Sequence, residues 1–74
     1  MLNTAEVEFS RLLAERIRSL RMHHALSQRD LAIRAGVARQ VVINAESGSR
    51  LLRPSSLRKI ARALDVKPVQ LTQA

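Results

Sequence analysis

The sequence predicts an all-α domain of five helices without strands. Three features carry that expectation. Apolar residues recur at intervals of three and four, helix-start signals stand at the head of those periodic stretches, and glycine or proline separates one stretch from the next.

Asn3 or Thr4 is placed to cap a first helix, with Glu6 and Glu8 in its opening turns, where the helix dipole favours negative charge. Phe9, Leu13, Ile17 and Leu20 follow as one apolar stripe, so this helix is expected to reach about Met22. His23 and His24 then read as linker residues, and Ala25-Leu26 completes the connection.

The stretch Ser27 to Gly48, SQRDLAIRAGVARQVVINAESG, organises the rest. Ser27 with Asp30 three residues on is a capping-box pattern, so a second helix begins at Gln28. Leu31, Ala32 and Ala35 form its narrow apolar side, and Gly36 stops it by entering the left-handed region without a Cβ penalty. A third helix starts at Arg39. Val42 and Ala45 face inward, Arg39, Gln40, Ile43 and Asn44 face outward, and Gly48 ends it. Two helices crossing steeply over a short turn with glycine are a helix-turn-helix, whose second helix lies in the DNA major groove.

Beyond Gly48, residues 49–53 read as an exposed loop, and Pro54 suits the start of a helix. Of Leu51 and Leu52, either one turns into the core or both form an apolar patch that meets a symmetry mate. Ser55 or Ser56 caps a fourth helix with Leu57, Ile60, Ala61 and Leu64 inward and Arg58, Lys59 and Arg62 outward. Asp65-Val66-Lys67-Pro68 closes it and opens a last short helix through Leu71.

Gln28, Leu31-Ala32, Ala35-Gly36-Val37, Val42 and Glu46-x-Gly48 resemble the helix-turn-helix of the lambda-repressor/Cro family, often called the Xre family. Arg16-Ile17-x-x-Leu20-Arg21 upstream, and Pro54, Leu57, Ile60-Ala61-x-Ala63-Leu64 and Leu71 downstream, extend the likeness over roughly residues 12 to 72. Three departures stand out. Ala38 occupies the position where such repressors carry a capping Ser or Thr, a loss of about 1 kcal/mol. Ala45 is smaller than the usual apolar residue, and the loop from Ser49 to Arg53 is one residue longer.

The resemblance implies a five-helix lambda-repressor-like domain over residues 11–74, preceded by an N-terminal helical extension at residues 1–10. That extension is either a solvated helical lead-in or frayed end, or an added dimer or partner surface built from Leu2, Val7 and Phe9. It also implies an ion pair between Arg21 and Glu46, and base reading by the outer face of the third helix. There Arg39 suits guanine, Gln40 and Asn44 suit adenine, and Ile43 suits a thymine methyl. Phosphates are expected at Gln28, Arg29, Ser47, Arg50, Arg53 and Ser55, helped by backbone N–H groups at the start of the third helix. About four phosphates per subunit would give a salt slope near −4. Family members bind inverted half-sites as two-fold dimers, with dimer contacts from the loop at Leu51-Leu52 and the last helices, so a homodimer on double-stranded DNA is expected.

Composition agrees with a polyanionic partner. Thirteen Lys and Arg, eleven of them Arg, stand against six Asp and Glu for a formal charge of +7. Seventy-four residues allow one small domain, with a net stability of about 4–11 kcal/mol. There is no cysteine, hence neither disulfide frame nor thiolate metal site. His23 and His24 fall short of the three or four ligands a metal requires, and no cofactor is expected. No nucleophile or orienting carboxylate joins them in the helical pattern, and the short chain encloses no cleft, so catalysis is not expected. No apolar run approaches the roughly 20 residues of a membrane span, and the N-terminus lacks a secretory pattern. The expected place is the cytoplasm of a bacterium or a phage-infected cell, at the nucleoid. The leading function is a sequence-specific transcription regulator, a repressor. A second is an antitoxin or adaptor whose main partner is a protein, with DNA binding for autoregulation.

Overall fold

Four helix starts are fixed in one of two ways, by a side-chain cap or by proline. A computed structural model describes residues 3–73, with α1 (Thr4–His23), α2 (Gln28–Ala35), α3 (Arg39–Ser47), α4 (Pro54–Ala63) and α5 (Pro68–Thr72), and no strand among them. Asn3, not Thr4, caps α1: its Oδ1 accepts from the Glu6 amide at 2.9 Å, while Glu6 Oε1 accepts from the Asn3 amide at 3.2 Å. Ser27 and Asp30 form the same reciprocal pair at the head of α2, at 2.9 and 3.3 Å. Pro54 and Pro68 open α4 and α5 at positions where a missing N–H costs nothing. Ser55 and Ser56, expected as caps, sit inside the first turn of α4, which has Arg53 as its N-cap. Ala38 makes no side-chain cap for α3.

Three helices end by one device. Ala25, Gly36 and Asp65 take left-handed backbone with φ of 56°, 71° and 58°. In each case the next residue returns its amide to a carbonyl five back: Leu26 to Arg21, Val37 to Ala32 and Val66 to Ala61, at 3.0–3.1 Å. Leu26, Val37 and Val66 also pack against the core, so each turn both satisfies carbonyls and buries an apolar side chain.

The helices close into a ring. α1 packs on α3 and α5, α2 on α3 and α4, and α4 on α5. Ile17, Leu31, Val42, Ile60, Leu64 and Leu71 fill the centre and are fully buried, so every helix contributes. Burying a side chain of this size stabilises by about 1.5–3 kcal/mol before entropy is counted.

The apolar stripe of α1 differs from its expected course. Its buried residues are Ser10, Leu13, Ala14 and Ile17, and Phe9 is 40% exposed. The cause is the close approach of Gly48, where a Cβ would lie 3.4 Å from the Arg11 Cα and the Ser10 carbonyl and 3.6 Å from the Ala14 Cβ. Only small side chains fit that crossing. α1 thus presents Ser10 and Ala14 to α3 and turns Phe9 outward. Residues 4–10 are the first turns of α1 itself. Leu2 lies outside the described residues.

His23 and His24 are not simple linkers. His23 is the last residue of α1, and His24 is its C-cap, with Nε2 3.0 Å from the Leu64 carbonyl at the end of α4. Arg16 likewise donates to the Leu71 carbonyl at 3.2 Å and ties α1 to α5.

Candidate nucleic-acid interface

Helix α3 has two unlike faces. Val42 and Ala45 are buried in the core, Arg39 and Gln40 are exposed, and Ile43 and Asn44 are half-buried at the border. Gln40 Nε2 donates to Asn44 Oδ1 at 3.0 Å, one turn along the same helix. With Ala38 making no cap, the leading amides of α3 have no side-chain acceptor.

The inner end of α3 is clamped at Glu46, which is 5% exposed. Arg21 reaches it as a fork, Nε to Oε2 at 2.6 Å and Nη2 to Oε1 at 2.9 Å, and its Nη1 donates to the Leu26 carbonyl at 2.8 Å. Arg18 donates to the Glu46 carbonyl at 2.8 Å, and Gln28 Nε2 makes a long contact with Glu46 Oε1 at 3.4 Å. Hydrogen bonding to Glu46 raises the Arg21 pKa further above its already high ordinary value, so the guanidinium stays charged. A fork of this kind fixes orientation, because both planes must align.

The arginines outside this clamp are differently placed. Arg21–Glu46 is the one ion pair among the described residues. Arg29, Arg39, Arg50 and Arg53 are exposed, and none of them is in an ion pair among the described residues. Ser55 is exposed as well. The exposed Ser47 donates its hydroxyl to the Asn44 carbonyl at 2.9 Å and lies 2.7 Å from the Ser49 hydroxyl. Gln28 is half-buried and shared with Glu46, unlike its neighbour Arg29.

A cleft of about 350 Å³ separates α3 from the segment that follows it, lined by Val41, Asn44 and Ala45 of α3 and by Arg50, Leu52 and Arg53 beyond it. Leu52 turns in and packs against the core, whereas Leu51 stays 47% exposed, so the two leucines do not act alike. Val7, Phe9 and Leu12 on α1 are also exposed apolar residues. Among the described residues, no helix is long and apolar enough to cross a membrane, and no three potential ligands converge as a metal site.

Arg16, Arg18 and His24 are tethering residues that sequence patterns do not reveal. Each bonds to a backbone carbonyl, and a carbonyl leaves no trace in residue identity.

These are the fold and face of a DNA-binding regulator. The family model described as helix-turn-helix matches residues 17–71, and the chain belongs to that family, in its Cro/C1-type, Xre-like form. Among solved structures, the crystal structure of the restriction-modification controller protein C.AhdI from Aeromonas hydrophila is similar. It is 35% identical, with a TM-score of 0.79 over 84% of this chain and 94% of that one. No curated protein matches the chain. The protein is a DNA-binding transcription regulator.

Proposed function

We propose that the protein represses transcription by binding an inverted-repeat operator as a homodimer, with α3 in the major groove of each half-site. The observation that carries this reading is the contrast within α3: an outer row of exposed Arg39 and Gln40 and half-buried Ile43 and Asn44, and an inner end clamped through Glu46. Arg39 and Gln40 at the N-terminal end reach base edges first, with Ile43 and Asn44 behind them. Arg29, Arg50, Arg53 and Ser55 flank the helix as phosphate contacts, joined by Gln28 and Ser47, and their uncancelled charge supplies the sequence-independent part of affinity. A single module of this size reads few base pairs, and two-fold pairing doubles the site. Occupancy of such a site blocks a promoter. Similarity to a restriction-modification controller supports control of that kind of gene pair as the biological setting.

Selection of bound sites from random duplex DNA tests the reading. The expected product is two inverted half-sites about 34 Å apart, or a multiple of that spacing. A single unpaired motif would exclude the dimer, and an unenriched pool would exclude specific reading. The exposed Val7, Phe9 and Leu51 favour a second reading in which a protein partner is the main target. Recovery of the native protein in a stable complex with a different chain would support that alternative.

A further inference from the structure

We infer that Asn44 is a positioning residue for Gln40, so that the two amides recognise adjacent base pairs as one unit. The inference rests on the proposed placement of α3 in the major groove. Residues four apart on a helix are surface neighbours, and here Gln40 Nε2 donates to Asn44 Oδ1 at 3.0 Å. Gln40 is exposed and Asn44 half-buried beside the cleft, so the more confined amide holds the freer one. A long glutamine side chain loses rotamer freedom when it is ordered on a ligand. The bond to Asn44 removes part of that freedom before DNA arrives.

The direction of the bond decides what each amide still offers. A glutamine amide has one oxygen and two N–H groups. With one N–H given to Asn44, Gln40 keeps its Oε1 and the other N–H. That acceptor–donor edge matches adenine N6–H and N7. Asn44, with its oxygen engaged, presents its two N–H groups. They suit acceptors, namely guanine O6 and N7 or thymine O4. The pair therefore specifies adenine at the Gln40 position and guanine or thymine at the Asn44 position. The opposite polarity would occupy one lone pair of the Gln40 oxygen and leave both its N–H groups free, favouring guanine.

Bound-site selection with the wild type, Gln40→Ala, Asn44→Ala and Asn44→Asp tests this, each variant being checked for unchanged helical circular dichroism. Gln40→Ala identifies its adenine by erasing that preference. Asn44→Ala should weaken the same adenine preference by roughly tenfold, although Asn44 does not contact that base. Asn44→Asp keeps an acceptor in place of Oδ1 and should preserve the adenine preference while lowering affinity for every sequence, because it adds a negative charge. The inference is overturned if Asn44→Ala alters only another position, if Asn44→Asp loses adenine as fully as Asn44→Ala, or if Gln40 selects guanine. A wild-type motif with any of these results leaves the reading of α3 standing. A wild type that enriches no motif overturns both.

Discussion

The guanidinium of Arg21 on α1 grips both carboxylate oxygens of Glu46 on α3, at 2.6 and 2.9 Å, and with its third nitrogen holds the Leu26 carbonyl just ahead of α2. One side chain thus sets the relative positions of the first three helices. Arg21→Ala would leave the Glu46 carboxylate buried and without its cation, a loss of about 3 kcal/mol. In a domain this small the melting temperature should fall by more than about 10 °C. Arg21→Lys keeps the charge but loses the fork and should fall between. Thermal unfolding followed by circular dichroism measures all three chains, and equal Tm values would deny the clamp its role.

Ala25 adopts φ 56°, a region that residues other than glycine, asparagine and aspartate seldom occupy. Ala25→Gly should therefore stabilise the protein by about 1 kcal/mol, read as a Tm rise of roughly 4–8 °C. The native glycines give the converse comparison. A Cβ on Gly36 meets nothing within 4 Å, so Gly36→Ala costs only backbone strain. A Cβ on Gly48 would press on the α1 backbone at 3.4 Å, and Gly48→Ala should be the more destabilising of the two in denaturant titrations.

Much of this architecture is legible in residue order, where chemistry is local. Ser27 with Asp30, Gly36, Pro54 and Pro68 each carry their structural meaning within a few residues, and α2, α4 and α5 begin as those residues require. The outward placement of Arg39 and Gln40 follows from helical period alone. Three features were not legible. The left-handed turn at Ala25 has no glycine to mark it, because the apolar Leu26 and its bond to Arg21 enforce the turn from outside. The eversion of Phe9 depends on Gly48, nearly forty positions away in sequence. The tethers from Arg18 and His24 end on carbonyls that any residue supplies.

Acid should reveal the cap of α2. Hydrogen bonding to the Ser27 hydroxyl, then to its backbone amide, holds the Asp30 carboxyl below its ordinary value. A pKa depressed on folding contributes stability that is fully present above the unfolded value of about 3.9 and disappears as the pH falls through the folded value. Asp30→Asn removes this component. Its stability should decline less steeply below about pH 4 than that of the wild type, and parallel declines would contradict the assignment.

Arg53, exposed and unpaired beside the cleft, is one of the proposed phosphate contacts. Arg53→Ala should weaken binding to all duplexes alike and reduce the salt slope by about one. Fluorescence anisotropy across a range of salt concentrations gives both quantities. A loss confined to one sequence would move Arg53 to the reading set.

Arg39, exposed at the N-terminal end of α3, tests whether the outer row of that helix meets base edges. Base preferences of the wild type and Arg39→Ala, determined side by side on the selected operator, address that claim most directly. The account predicts that guanine preference vanishes at one position of each half-site, a discrimination of about 1–3 kcal/mol, while the remaining positions and the melting temperature stay unchanged. Identical preferences in the two chains would contradict it.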